Sequence, residues 1–143
     1  MLLDVVDACK AAAPDEEVLV IREDGGQGPA VAGTLARLRG PVTIVNADLP
    51  CATGDELAEL TAAAPALVAA PDGTTNALAV RDATDFVPLY GAGSAERYVR
   101  ALAARRLELA GLAHDVDTPE DLERLRGRVG PRTRLYLGAL TTA

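Results

Sequence analysis

The stretch Val42-Thr43-Ile44-Val45-Asn46-Ala47-Asp48-Leu49-Pro50 decides how the chain is read. An apolar, β-branched run gives way to a small residue, a carboxylate and a proline. Such a run reads as a buried strand of a parallel sheet. Pro50 has no N–H for a central ladder, so the chain turns there. That places Asp48 at the carboxyl edge of a sheet, where open α/β folds hold ligands. A second acidic cluster, His114-Asp115-Val116-Asp117-Thr118-Pro119-Glu120-Asp121-Leu122, follows, and its Asp115 lies 67 residues after Asp48. The two clusters are expected to meet in space and hold a metal.

The flanks alternate helix and strand. Apolar positions 2, 3, 5, 6, 8, 9 and 12 predict a helix over 1–13, ended by Pro14 and Asp15. Glu17 to Ile21 predicts a short buried strand. Gly25-Gly26-Gln27-Gly28-Pro29 is a loop before a helix over 30–38. Gly26 and Gly28 admit two readings: a cradle whose amides hold nucleotide phosphates, or a plain strand-to-helix turn. No Lys, Ser or Thr stands in the phosphate-loop positions. Thr53, with Glu56 three residues on, predicts a capping box for a helix to about Ala63. Runs at 66–70 and 74–80 predict two strands around Pro71-Asp72-Gly73, an antiparallel hairpin in a mixed sheet.

Further on, Tyr90-Gly91-Ala92-Gly93-Ser94 leads into a helix over 95–105. Ser94 reads both as its N-cap and as part of an anion site made with the loop amides. Residues 107–112 return to the sheet and deliver Asp115 and Asp117. Thr118 caps the next helix, with Pro119 at its first position. Five arginines in 124–134 read as a solvated helix face and tail, and 134–137 as a last edge strand. The chain opens on a helix and then a strand. An α/β sheet normally places a strand before such a helix, so a first strand is expected to be missing.

At 143 residues, one domain with a sizeable core is expected. A formal charge of −7 gives no basis for a nucleic-acid groove. Aromatic content of 3% with no Trp argues against base-stacking platforms. No apolar run is long enough to span a membrane and no leader precedes Asp4, so a cytoplasmic setting is expected. Cys9 and Cys51 make no metal pattern and read as buried thiols in a reducing compartment.

Mg²⁺ takes oxygen ligands, usually one or two carboxylates with phosphate oxygens and water. Asp48 and Asp115 meet that need. The bland reading is that Asp115 or Asp117 merely favours the dipole of the helix after Thr118. His114, the single histidine, is given no catalytic role, and the single lysine, Lys10, has no glycine loop before it.

Taken in order, Asn46-Ala47-Asp48-Leu49-Pro50, Thr74-Thr75-Asn76-Ala77-Leu78, Tyr90-Gly91-Ala92-Gly93-Ser94 and His114 to Leu122 resemble the motifs of the 2-phospho-L-lactate (or phosphoenolpyruvate) guanylyltransferase family. That family makes the guanylylated precursor of coenzyme F-420. The resemblance runs from Met1 to about Val129. It implies a three-layer, Rossmann-like nucleotidyltransferase fold with a mostly parallel, mixed sheet, here without its first strand, binding GTP and Mg²⁺. By resemblance, Asp48 and Asp115 match the catalytic, metal-binding carboxylates. Thr75, Gly91 and Ser94 match the positions that hold the phosphorylated three-carbon acid. The family opens on a strand and a basic loop that grips the nucleotide phosphates, whereas this sequence starts inside the following helix. Such a truncated chain is expected to turn over little alone and to self-associate through its open sheet edge. The rival readings are a non-catalytic remnant that binds a ligand or partner, and a related cofactor or sugar nucleotidyltransferase.

Overall fold

A computed structural model describes residues 1–22 and 25–140. The elements run α1 (Leu2–Ala12), α2 (Gln27–Leu35), β1 (Val42–Val45), α3 (Gly54–Ala62), β2 (Ala66–Ala69), β3 (Thr75–Val80), α4 (Ser94–Leu102), β4 (Arg105–Arg106), α5 (Pro119–Leu125) and α6 (Pro131–Leu140). The sheet order is β1-β3-β2-β4. β3 runs antiparallel to both β1 and β2, and β4 parallel to β2, so β1, β2 and β4 share one direction and β3 opposes them. The sheet is mixed, as the predicted hairpin requires.

Alternation along the strands separates two cores. Ala66, Val68, Ala77 and Ala79 face α1 and α3, meeting Val5, Ala8, Leu57 and Leu60. Leu67, Leu78 and Val80 face the other way, onto Ala95 and Tyr98 of α4. Val42 and Ile44 share that second face with Val31 and Leu35 of α2. Three layers result: α1 with α3, the sheet, then α2 with α4. No helix among the described residues is long and apolar enough to cross a membrane.

Several sequence expectations need correction. Residues 17–21 form no strand; Leu19 and Val20 stay 46% and 53% exposed. An apolar run signals a preference for burial, but a strand exists only where a ladder partner does. β1 is half-buried rather than buried, and its sheet neighbour is antiparallel. α2 begins at Gln27, inside the expected loop, with Pro29 in its first turn. Proline is tolerated there because first-turn amides have no intrahelical acceptor. The return to the sheet is β4 at 105–106, extended by Leu107 N–H donating to Leu67 O at 2.9 Å, not a strand over 107–112.

Residues 134–137 are helix, not strand, and the reason lies far away in sequence. Asp4 on α1 is buried, and its carboxylate accepts from the amides of Arg132 and Thr133, both at 2.9 Å, and from the Thr133 hydroxyl at 2.6 Å. It caps the N-terminus of α6 from 128 residues away. Burial pushes the Asp4 carboxyl up, but the Thr133 hydroxyl and the two amides outweigh it and hold it below the usual value. Gly130 leaves room for this cap, because any side chain there would overlap the Asp4 carboxylate.

A carboxyl depressed in the fold contributes stability that is present above its unfolded value of about 3.9 and lost as pH falls through the folded value. Asp4→Ala is therefore expected to cost about 1.5–3 kcal/mol at pH 7, the scale of hydrogen bonds to a charged group. Urea unfolding between pH 7 and pH 3 checks this. The wild type should lose more stability over that range than Asp4→Asn; parallel curves would deny the carboxylate its role.

Candidate metal and acceptor site

Asp48 follows β1 on a turn that is pinned on both sides. Leu49 and Pro50 are buried, Leu49 O accepts from Ala52 N at 3.2 Å, and Pro50 O accepts from Gly130 N at 2.7 Å. The second acidic loop is tied directly to the first: Val116 N–H donates to Asp48 O at 3.0 Å. As a result Asp48, Asp115 and Asp117 each bring a carboxylate oxygen within 4.8 Å of the others. The structure thus joins the two predicted carboxylates and adds Asp117, which sequence reasoning left out of the ligand set. The clue was its spacing. In extended backbone, residues two apart point the same way, and Val116 between them packs against Cys51, Leu125 and Val129.

The bland account of these carboxylates loses ground. Thr118 and Asp121 make the full capping box of α5: Thr118 Oγ1 accepts from Asp121 N at 3.2 Å, and Asp121 Oδ2 accepts from Thr118 N at 2.9 Å. The helix start needs nothing from Asp115 or Asp117. No Lys or Arg pairs with the three carboxylates among the described residues. Oδ1 of Asp48 is buried with no hydrogen-bond partner. Desolvation pushes the Asp48 carboxyl up, and the charges of Asp115 and Asp117 push it further. Three mutually repelling carboxylates, two half-buried and one exposed, with one buried oxygen that lacks a donor, are a donor set that can hold a metal ion.

Two residues brace this pair of loops. Asn76, almost wholly buried on β3, accepts at its backbone carbonyl from Asn46 N at 2.9 Å and donates from its side-chain Nδ2 to Leu112 O at 3.1 Å. It links the strand end before Asp48 to the turn before Asp115. Glu56 accepts from Gly111 N at 2.7 Å and from Thr53 Oγ1 at 2.8 Å. The expected capping box of α3 is therefore half made: Thr53 receives Glu56 N at 3.3 Å, while the Glu56 carboxylate is spent on Gly111. A side chain at Gly111 would overlap Glu56 and the Cys51 carbonyl. No local pattern announces the Asn76–Leu112 and Glu56–Gly111 contacts, which span 36 and 55 residues.

Next to Asn76, Thr75 meets Ser94: the hydroxyl oxygens are 2.9 Å apart and both residues are buried. Ser94 is not the cap of α4. Gly93, at φ 69°, holds that position, and Ser94 is the first helical residue. Two hydroxyls that share one hydrogen bond leave one proton to donate. The face toward solvent is the exposed backbone of Gly91, Ala92 and Gly93, with Gly91 at φ 100°.

Gly26 caps α2 at φ 101° and is exposed, whereas Gly28 is buried, where a Cβ would lie 3.2 Å from Pro88 Cβ. Close packing accounts for Gly28. Between them, Gln27 Nε2 donates to Asn46 Oδ1 at 2.6 Å, fixing the start of α2 to the strand end that leads to Asp48. Neither glycine is brought to the carboxylates by any hydrogen bond among the described residues. His114 is exposed.

No protein-family model matches the chain. It is 39% identical over 146 residues to a phosphoenolpyruvate guanylyltransferase of Sphaerobacter thermophilus, covering 85% of this chain and 70% of that one. It is 32% identical over 142 residues to a 2-phospho-L-lactate guanylyltransferase of Haloarcula marismortui, covering 85% and 68%. A 3-phospho-D-glycerate guanylyltransferase of Phenylobacterium zucineum is 43% identical over 79 residues, covering 51% and 36%.

The raised carboxyl of Asp48 carries a sign. Its ionised form works against the fold once pH exceeds the unfolded value of about 3.9. Asp48→Asn should therefore melt higher than the wild type at pH 7 without metal. It should also lose the rise in melting temperature that added Mg²⁺ or Mn²⁺ gives the wild type. Thermal melts with and without each ion decide it; an equal metal response in both proteins would remove Asp48 from the ligand set.

Proposed function

The chain belongs to the phosphoenolpyruvate and 2-phospho-L-lactate guanylyltransferase family, and from that premise we propose how its site works. The reaction is transfer of GMP from GTP to a phosphorylated three-carbon acid, phosphoenolpyruvate or 2-phospho-L-lactate, with release of pyrophosphate toward coenzyme F-420. A phosphate oxygen of the acid attacks the α-phosphorus of GTP. The bond from that phosphorus to the bridging oxygen breaks, and pyrophosphate leaves with the electron pair. The attacking oxygen is already ionised, so no general base is needed. An exposed His114 and a site without an activated Ser or Cys suit such a reaction.

The observation that carries this reading is the three-carboxylate cluster, with its buried, unpartnered Asp48 oxygen. Asp48, Asp115 and Asp117 would hold Mg²⁺. The ion would neutralise the triphosphate and stabilise departing pyrophosphate. Val116 and Asn76 keep the carboxylates together before the ion binds, which limits reorganisation during the reaction. The Gly91–Gly93 backbone, with the Thr75–Ser94 hydroxyl pair beneath it, receives the phosphate or carboxylate of the acid. Gly26, exposed at the start of α2, would meet the nucleotide, and Gln27 ties that start to Asn46. Gly28 serves this as a packing residue.

Cys9 and Cys51 are free thiols, which favours a cytoplasmic setting. Self-association is supported by β1, which has a strand on one side alone among the described residues. Light scattering should then give a mass above one chain, falling when Thr43→Pro blocks the edge; a monomer at all concentrations would end that idea.

Pyrophosphate release with GTP and Mg²⁺, measured against phosphoenolpyruvate, 2-phospho-L-lactate and 3-phospho-D-glycerate in turn, tests the reaction. One acid should support turnover well above the others. Asp115→Asn should lower that rate by about a hundredfold or more, the scale of losing one preorganised charge-stabilising group. Release that ignores all three acids would overturn the proposed acceptor class.

A further inference from the structure

The loop before α4 has its carbonyls and amides sorted to opposite uses. Arg97, one turn into the helix, donates from Nη1 to Ala92 O at 2.5 Å and from Nη2 to Leu89 O at 2.8 Å and Tyr90 O at 3.1 Å. Gly91 at φ 100° and Gly93 at φ 69° adopt backbone that favours glycine, and a Cβ at either would meet that guanidinium only in ordinary contact, at 3.9 and 3.6 Å. From below, the buried Tyr98 hydroxyl accepts from Leu89 N at 3.2 Å, and its ring stands edge-on to Tyr90 at 5.7 Å. The amides of Gly91, Ala92 and Gly93 donate to no protein acceptor among the hydrogen bonds of the described residues. Three carbonyls that would repel an anion are thus turned onto a cation, and three amides are left over.

From this sorting we propose that Arg97 is a positioning residue for the acceptor acid: it holds the Gly91–Gly93 backbone with its amides outward and sets a positive charge behind them. The inference rests on the reading of this loop as the acid cradle. A planar guanidinium suits the task because its five donors sit in a rigid fork that holds several carbonyls in fixed directions, whereas an ammonium is a point charge on a flexible stem. Successive amides facing one way form an anion-binding concavity. Arg100, by contrast, makes an ordinary exposed pair with Glu96 at 3.1 Å and touches none of the loop.

The test is calorimetric titration of phosphoenolpyruvate, and separately of GTP, into the wild type, Arg97→Ala, Arg97→Lys and Gly91→Val, all with Mg²⁺. Arg97→Ala should weaken phosphoenolpyruvate by about tenfold or more, the scale of one charge-assisted contact, and leave GTP within about twofold. Millimolar guanidinium should restore part of the loss in Arg97→Ala and nothing in the wild type, a response that loss of packing would not give. Arg97→Lys should recover only part of the affinity, and it carries the same comparison if Arg97→Ala does not fold. Unchanged phosphoenolpyruvate affinity in both Arg97 variants, with Gly91→Val weakened, would overturn the role of Arg97 alone. Full affinity in Gly91→Val, or no phosphoenolpyruvate binding by the wild type, would instead overturn the cradle itself.

Discussion

One buried residue, through its backbone and its side chain, holds the site together. Asn76 sits where β3 is inserted against the direction of its neighbours, and it reaches both acidic loops. Its backbone carbonyl takes the amide of Asn46, two residues before Asp48, and its Nδ2 takes the carbonyl of Leu112, three residues before Asp115. A buried polar side chain is costly unless bonded; the bond to Leu112 satisfies Nδ2 of Asn76, while its Oδ1 is buried with no partner. Thr75, the preceding residue on the same strand, turns to the opposite face and braces the α4 loop through Ser94. The start of β3 therefore sets the spacing between the carboxylate cluster and the Gly91–Gly93 loop.

The same arrangement works against stability. Three carboxylates within 4.8 Å repel one another, and the most buried of them lacks a donor for one oxygen. The fold offsets this with contacts placed around the cluster rather than in it. Leu49 and Pro50 are buried behind Asp48, Val116 is fastened to its carbonyl, and the Thr118–Asp121 box starts the next helix without using the cluster. Strain kept at a site and supported from outside it is what a binding centre for a cation requires.

Reading the chain from its residues went well where the cause is local. The periodicity of α1, the hairpin around Asp72-Gly73 and the Thr118-Pro119 helix start are each determined within a few residues, and each was legible. The acidic clusters were legible as a pair because two carboxylates at loop positions have few structural uses. What escaped is non-local. The helix at 131–140 depends on Asp4, and the Glu56 carboxylate leaves its own helix cap for Gly111. The apolar run at 17–21 advertised a strand, but the ladder partner it would need is not among the described residues. Ser94 and Gly93 exchanged roles because a left-handed φ at Gly93 caps the helix through the backbone and frees the hydroxyl for Thr75.

Net charge poses the remaining physical question. A chain of formal charge −7 has to accept two anions beside three carboxylates. Long-range attraction cannot bring them there, since the field of the whole molecule repels them. The attraction has to be local, and in the proposed reading it comes from a metal ion on one side and from loop amides on the other. The five arginines in 124–134 are engaged elsewhere: Arg124, Arg126 and Arg132 are paired with Asp121, Glu123 and Asp7. Arg128 and Arg134 are spent on the carbonyls of Ala110 and Val129. Arg97 differs in what its carbonyl contacts accomplish, because they belong to the loop whose amides have no protein acceptor among the described residues. A cation that neutralises the loop's acceptors and leaves its donors free turns a short stretch of backbone into a positive patch on an acidic protein. Binding of anions to such a patch depends on the geometry of a few residues and little on the net charge around them.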